Sequence, residues 1–297
     1  MSRSRFLLVT RGSRQQPPAD QCSTVLRTAN SGLLFDRNSM CTVSFVPKTH
    51  GFYLAMNRDE SLQRPIASPP RTFWRRRQRS LYPTEPSGGS WIGINDRCLC
   101  LALINWYSVD FSEKASMLSR GIVVPTLLTE ANIFDLFDRL AALSLKRLAP
   151  FRLIAISSAA CQVRELRWNT TGLVELAFDW KARHWFSSGL DEAAVQHQRN
   201  LVCCEAWKKP NAGTLRWLRG LHRSHAPAPG PFSICRHGST AATVSYIEIL
   251  AGLHEATMRY HPGLPCRASI ERFEESVPLN SDSETGSADY ANLPSVS

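Results

Sequence analysis

Four residues between positions 41 and 105 have the types and spacing needed for covalent catalysis. Cys41 opens a short alternating apolar segment, and a second apolar run leads directly into Arg58 and Asp59. Asn105 ends a third apolar run. Because such runs predict strands, these side chains are expected at three successive strand ends. There they could supply a thiol nucleophile, a guanidinium that lowers its pKa, a carboxylate and an oxyanion donor.

Each of these residues also has a purely structural interpretation. A free cysteine such as Cys41 is most often a small buried apolar side chain. Asp59 could cap backbone groups in a turn while Arg58 pairs locally, and Asn105 could simply end its strand. Glu60, which follows the arginine-aspartate pair, is expected to be structural. The residues alone leave both interpretations open.

The base that would activate Cys41 depends on where the mature chain begins. If Met40 is removed, Cys41 carries its own α-amine, whose reference pKa of about 7.7–8.0 suits a thiol of pKa about 8.5. If the chain is not cut before Cys41, that nitrogen is an amide and cannot act as the base. Residues 1–39 are predicted to be either a disordered extension or a mis-assigned start, with a transit peptide as the alternative.

Three ordered motifs carry a resemblance to a known family. They are Met-Cys at 40–41, Asn-Arg-Asp-Glu at 57–60 and Gly-Gly-Ser-Trp-Ile-Gly at 88–93. Residues 232–246 are similar to the same family's C-terminal signature. Over residues 40–266 the chain therefore resembles the NRDE family, the family of the transport and Golgi organisation protein 2.

The resemblance implies a fold and a chemistry. The family is distantly similar to N-terminal-nucleophile hydrolases, especially the penicillin V and bile-salt acylases, which implies an α+β fold built as a four-layer α-β-β-α sandwich. It implies hydrolysis of a linear carbon–nitrogen amide by Cys41, assisted by Arg58, Asp59 and Asn105. The acylases space their arginine and aspartate by a few residues, whereas here the two are adjacent, so their roles are not transferred directly.

The same resemblance also implies an alternative function. The family is linked with secretory-pathway organisation, lipid homeostasis and haem movement, so the fold could serve a non-catalytic binding or trafficking protein. The partner would then be a lipid-like ligand or haem rather than a small-molecule amide. No other cofactor is implied.

Composition and charge bear on whether the protein binds nucleic acid, forms disulfides, holds a metal or crosses a membrane. The net charge of +10 is concentrated in the N-terminal extension and in residues 71–79, a pattern more typical of a soluble protein than of a nucleic-acid-binding one. The nine cysteines are odd in number and show no Cys-x-x-Cys pair, which predicts reduced thiols in a cytoplasmic protein and no metal site at His222, His225 or His237. No apolar run approaches the roughly 18 residues of a membrane span. The oligomeric state is not indicated.

Hydrophobic periodicity predicts one domain over residues 40–273, with a disordered tail at 274–297. We expect helices at 133–148, 191–208 and 215–221, and a long irregular segment at the proline-rich residues 61–87. Strands are expected at 41–56 (two), 90–95, 98–105, 151–156, 163–168, 173–178, 184–187, 232–235, 243–250 and 256–261.

Overall fold

The computed structural model describes residues 39–111, 117–267 and 272–280 as two antiparallel sheets with few helices. The strands are β1 Met40–Lys48, β2 Gly51–Ser61, β3 Ser68–Arg75, β4 Gln78–Thr84, β5 Ile92–Asn95, β6 Leu99–Asn105, β7 Phe151–Ser157, β8 Gln162–Trp168, β9 Leu173–Phe178, β10 Arg183–Ser188, β11 Ala241–Ala251, β12 Glu255–Pro262 and β13 Phe273–Pro278. The helices are α1 Val123–Leu127, α2 Leu136–Ala141, α3 Glu192–Trp207 and α4 Leu215–His222, with 3₁₀ turns at Arg120–Ile122 and Leu145–Arg147.

The order of the strands places β1 inside a sheet rather than at its edge. The six-stranded sheet runs β10-β1-β2-β11-β12-β13, and the seven-stranded sheet runs from β3 to β9 in chain order. In the first sheet, Cys41 lies directly opposite Ser187 of β10 and Arg58 of β2. Since directly opposed residues point to the same side, Cys41 and Arg58 share one face of the sheet.

Three apolar clusters hold these elements together. One lies between the sheets and joins Val43 and Phe45 of β1 to Ile92 and Ile154 of the other sheet. A second packs α1 and α2 on the seven-stranded sheet, and a third packs α3 and α4 on the six-stranded sheet. Because β1 and β2 are covered on both faces, most of their polar side chains are buried, and Lys48 at the end of β1 is exposed.

The polar motif at 57–60 lies within a strand, where the sequence predicted it just beyond one. Strand β2 extends to Ser61, because each polar side chain finds a partner on one of its two covered faces. The proline-rich segment is likewise not irregular: β3 and β4 form a hairpin there. Pro69 and Pro70 are accommodated because β3 is an edge strand, which needs no ladder bond on its outer side.

The predicted helix at 133–148 is shorter than its apolar spacing indicated. Leu136 and Leu140 are buried as expected, but α2 ends at Ala141 and Ser144 takes a non-helical conformation, with ψ at 60°. Helices α3 and α4 match their predictions closely. Residues 232–235 form turns instead of the predicted strand, because Ser233 bonds backbone oxygens locally.

The C-terminal end of the described chain is also part of the fold. Strand β13 pairs with β12, and Val277 is fully buried, so residues 274–278, assigned to the tail from sequence, belong to the sheet. The extension at 1–38 and residues 281–297 lie outside the described residues. Among the helices of the described residues, none has the length and apolar character required to cross a membrane.

Candidate active site

Cys41 is buried beside a cavity of about 820 Å³. The cavity opens where β1 begins and where β2, β6 and β10 end, and 7% of Cys41 is exposed there. The rest of the side chain joins the apolar cluster between the sheets. The thiol is therefore held by packing yet faces a space that can hold a small molecule.

Arg58 lies opposite Cys41 and is fixed from several sides. Its guanidinium stacks on the ring of Trp91, with 4.3 Å between its central carbon and the ring centroid. It pairs with Glu85 at close range and with Glu60 at 3.5 Å. Arg64 bridges the same two carboxylates, at 2.8 Å from Glu60 and 3.3 Å from Glu85. Stacking and two carboxylates thus hold the positive charge beside the thiol.

Asp59 points away from the cavity, on the opposite face of β2. Its carboxylate accepts a hydrogen bond from Arg199 at 3.1 Å and one from the Thr243 hydroxyl at 2.6 Å. Both Asp59 and Arg199 are fully buried. Adjacent residues of a strand face opposite sides of the sheet. Arg58 therefore shares the cavity face with Cys41, whereas the Asp59 side chain lies on the other face.

The side chain of Met40, the first residue of β1, contacts this buried ion pair. It is fully buried, pairs with Asp59 and Ser188 in the sheet, and its sulfur lies 3.9 Å from an Arg199 nitrogen. In the chain as described, Cys41 therefore follows Met40 in a continuous strand, and its nitrogen is an amide.

Asn105 lines the cavity at the end of β6, as the sequence predicted for a residue at a strand end. Its side-chain amide donates to the hydroxyl of Tyr107 at 2.6 Å and to the hydroxyl of Ser39 at 3.2 Å. Both of these residues also line the cavity. These two hydrogen bonds orient the amide of Asn105. One of its N–H groups bonds Ser39, a residue that precedes Cys41 in the chain.

Burial dominates the electrostatics of the thiol. It raises the pKa of Cys41 to about 12; the charges of Asp59 and Glu60 add to this, whereas Arg58 and a backbone hydrogen bond from Asp59 lower it. Burial also raises the pKa of Tyr107, while Arg120 opposes the shift. The thiol is therefore protonated at neutral pH, and attack would require a base that removes its proton during the reaction.

Sequence reasoning missed several residues that build this site. Tyr107, Trp91 and Glu85 orient the predicted residues, and Arg199 neutralises Asp59 from a helix far along the chain. Trp91 stands in the Gly-Gly-Ser-Trp-Ile-Gly motif, and the motif alone does not indicate that its ring contacts Arg58. Nothing in the local pattern around Glu85 or Arg199 distinguishes them, because their partners Arg58 and Asp59 are distant in sequence. Tyr107 lies only two residues from Asn105, but no sequence pattern indicates that their side chains bond each other.

The chain is similar in fold to solved structures at low sequence identity. No curated protein matches the chain. Among solved structures, the chain is similar to a mutant of conjugated bile acid hydrolase from Clostridium perfringens, with 9% identity, a TM-score of 0.49, and coverage of 84% of this chain and 100% of that one. It is also similar to penicillin V acylase from Agrobacterium tumefaciens, with 9% identity, a TM-score of 0.42, and coverage of 79% and 85%.

A family model matches more directly. The model described as Transport and Golgi organisation 2 covers residues 40–213, more than half of the chain, and so includes Cys41, Arg58, Asp59 and Asn105. The family resemblance predicted from the three sequence motifs is confirmed. The chain belongs to the Transport and Golgi organisation 2 family.

Proposed function

We propose that the protein hydrolyses a linear carbon–nitrogen amide with Cys41 as nucleophile, after removal of the residues that precede it. The observation that carries the proposal is the position of the thiol: it opens onto an 820 Å³ cavity with Arg58 on the same face of the sheet. A thiol beside a fixed guanidinium and a space for a small molecule supplies the nucleophile, the neighbouring positive charge and the substrate site for acyl transfer to sulfur, and the freed α-amine supplies the base.

The α-amine and the thiol of Cys41, together with water, account for every bond and proton of the proposed reaction. The free α-amine of Cys41 takes the thiol proton as sulfur bonds to the amide carbon of the substrate. The carbon–nitrogen bond then breaks, the amine product leaves with that proton, and a thioester remains. Water hydrolyses the thioester to a carboxylic acid and restores the thiol.

Removal of Met40 and its predecessors would also change the site in two useful ways. Loss of Ser39 would release the Asn105 donor that now bonds its hydroxyl, leaving an N–H available for the developing oxyanion. Loss of Met40 would open the space beside Asp59, where a carboxylate could accept a hydrogen bond from the new amine. Both changes would supply groups that the proposed reaction uses.

The packing of the helices and the state of the cysteines support two further proposals, on the order of the layers and on the location of the protein. We infer that the layers follow the order α-β-β-α, because one helix pair packs on each sheet and the sheets pack on each other. The cysteines of the described residues are all free, which supports a cytoplasmic location.

A non-catalytic function is the second candidate, and Met40 is the observation that favours it. With Met40 buried in the sheet, Cys41 has no amine and its pKa stays at about 12. The cavity would then serve as a binding site for a lipid-like ligand or haem, and Cys41 would be a packing residue.

Two measurements on the full chain separate these candidates. Intact mass of the purified protein reports its first residue, and an electrophilic β-lactone probe followed by peptide mapping reports the reactive thiol. We expect a chain that starts at Cys41 and is labelled there, with labelling abolished in Cys41→Ala. Cys161→Ala is the matched control, because that cysteine is exposed and should not affect labelling of Cys41.

The opposite results would overturn the catalytic proposal. A mature chain that retains Met40 and leaves Cys41 unlabelled would exclude the N-terminal nucleophile. A Soret shift on haem titration that is equal in the wild type and in Cys41→Ala would support the binding function instead.

A further inference from the structure

A cluster of two cysteines and two histidines lies behind the candidate active site, at the connection between α4 and β11. It consists of His225, Cys235, His237 and Cys266, whose ligand atoms all lie within 4.8 Å of one another. Three segments supply them: the loop after α4, the turn before β11, and the loop after β12. None of these residues contributes to the proposed reaction, so the cluster requires its own explanation.

The distances within the cluster match a tetrahedral metal site. The Nε2 atom of His237 lies 3.0 Å from Nε2 of His225, 3.4 Å from Sγ of Cys266 and 3.9 Å from Sγ of Cys235. Zinc bonds of about 2.3 Å to sulfur and about 2.0–2.1 Å to nitrogen give edges of about 3.3–3.8 Å between ligand atoms. The three distances from His237 therefore lie close to the edges of such a tetrahedron, and all the other pairs of ligand atoms lie within 4.8 Å.

The donor types select the metal. Two thiolates and two imidazoles are the ligands of structural zinc sites, and the cluster holds no carboxylate, which magnesium or calcium would require. Two thiolates also neutralise the charge of the ion. We propose that His225, Cys235, His237 and Cys266 bind one zinc ion as a closed, four-ligand structural site.

The backbone around the cluster is already fixed by other contacts. The Cys235 N–H donates to the Ser224 carbonyl at 2.9 Å, and the Ser233 hydroxyl donates to the Cys235 carbonyl at 2.7 Å. The neighbouring Arg236 N–H donates to the Thr243 hydroxyl at 2.9 Å. Because the ligands stand on a braced backbone, metal binding would cost little reorganisation.

The site would connect two parts of the fold that are separate in sequence. Cys266 follows β12, while the other three ligands lie on the chain between α4 and β11. The same Thr243 that holds Arg236 donates to Asp59 at 2.6 Å, so the zinc would also brace the buried ion pair behind Cys41. Burial differs along the cluster: Cys235 is fully buried and the other ligands are half-buried, which leaves a path for the ion to enter.

The test uses the full chain without an affinity tag. We expect one zinc per chain by elemental analysis, and replacement by cobalt should give thiolate-to-cobalt charge-transfer absorption with the ligand-field bands of a tetrahedral ion. Cys266→Ser and His225→Ala should weaken cobalt binding by at least about a hundredfold. Cys204→Ser and His254→Ala are the matched controls, since both residues are exposed, and they should bind as the wild type does.

A second readout protects the test against variants that fail to fold. A chelator should lower the melting temperature of the wild type, whereas Cys266→Ser should already melt lower and should not respond to the chelator. Three results would overturn the proposal: no zinc at stoichiometric amounts, equal cobalt spectra in Cys266→Ser and Cys204→Ser, or a Cys235–Cys266 disulfide in the freshly purified, metal-free protein.

Discussion

At the scale of single residues, the strand alternation of β2 decides which predicted groups can act together. Arg58 faces the cavity with Cys41, whereas Asp59 faces Arg199 on the other side. Adjacency in sequence suggested a joint role for the pair, but neighbours in a strand are separated by the sheet itself. The charges of Asp59 and Arg58 shift the pKa of Cys41 in opposite directions, so their effects on the thiol are separable by mutation.

Arg58→Gln should make the thiol of Cys41 harder to ionise. The guanidinium lowers the pKa of Cys41 against the larger effect of burial, so its removal raises that pKa further. Below the pKa the thiolate fraction falls tenfold for each unit of increase, and a neighbouring opposite charge typically shifts a pKa by about one unit or more. We expect alkylation of Cys41 by iodoacetamide to slow at least about tenfold at neutral pH, measured by peptide mass spectrometry.

Arg58→Lys is the matched variant for this measurement. It retains the charge but loses the stacking on Trp91, so it should alkylate faster than Arg58→Gln. Equal rates in the two variants would show that the charge of Arg58 does not act on the thiol.

At the scale of elements, β2 carries polar side chains on both faces, and those on one face bond residues of α3 and α4. On its helix-facing side, the Asn57 amide donates to the carbonyls of His222 and Ile234, at 2.9 and 2.8 Å. Its oxygen accepts from the His222 ring at 3.0 Å. Asn57 therefore fixes the end of α4 and the turn before β11 to the sheet, a structural role that explains why a polar residue sits inside a buried strand.

Asn57→Ala should weaken the docking of α4 on the sheet. It would leave two carbonyls and one ring N–H without these partners, and each such buried group costs about 1–3 kcal/mol. We expect the free energy of unfolding to fall by about 3 kcal/mol or more in urea titrations. Asn200→Ala is the control, because Asn200 is exposed on α3 and its loss should change stability by less than about 0.5 kcal/mol. Equal stability of Asn57→Ala and Asn200→Ala would contradict this role.

At the scale of the whole molecule, the sequence predicted local elements well and their assembly poorly. The strands from β6 to β10 and helices α3 and α4 follow from alternation and apolar spacing, which act over a few residues. The pairing of β1 with β10 joins residues more than a hundred positions apart, and no local pattern encodes it. The same holds for the contact between Cys266 and His237, since their spacing matches no known ligand motif.

A partly buried hydrogen-bond chain spans several of these distant elements. The Trp207 indole N–H donates to Nε2 of His184, whose Nδ1 lies 2.8 Å from the Ser44 hydroxyl. That hydroxyl lies 2.9 Å from Nε2 of His222, whose Nδ1 contacts the Asn57 oxygen. Only one set of protons satisfies every member: His184 donates to Ser44, Ser44 donates to His222, and both rings are neutral. A proton added to either Nε2 would face another donor.

This chain predicts how the stability of the molecule depends on pH. Burial lowers the pKa of His184 to about 4 and that of His222 to about 3, whereas both titrate near 6.5 when unfolded. Below pH 6.5 the unfolded state therefore binds more protons, and the free energy of unfolding falls by up to about 1.4 kcal/mol per pH unit for each histidine. Urea titrations between pH 7 and 5 should show this decline, and His184→Gln should show a shallower one. His254→Gln, at an exposed position, should keep the wild-type slope, and a wild-type slope in His184→Gln would show that His184 is not neutral in the folded protein.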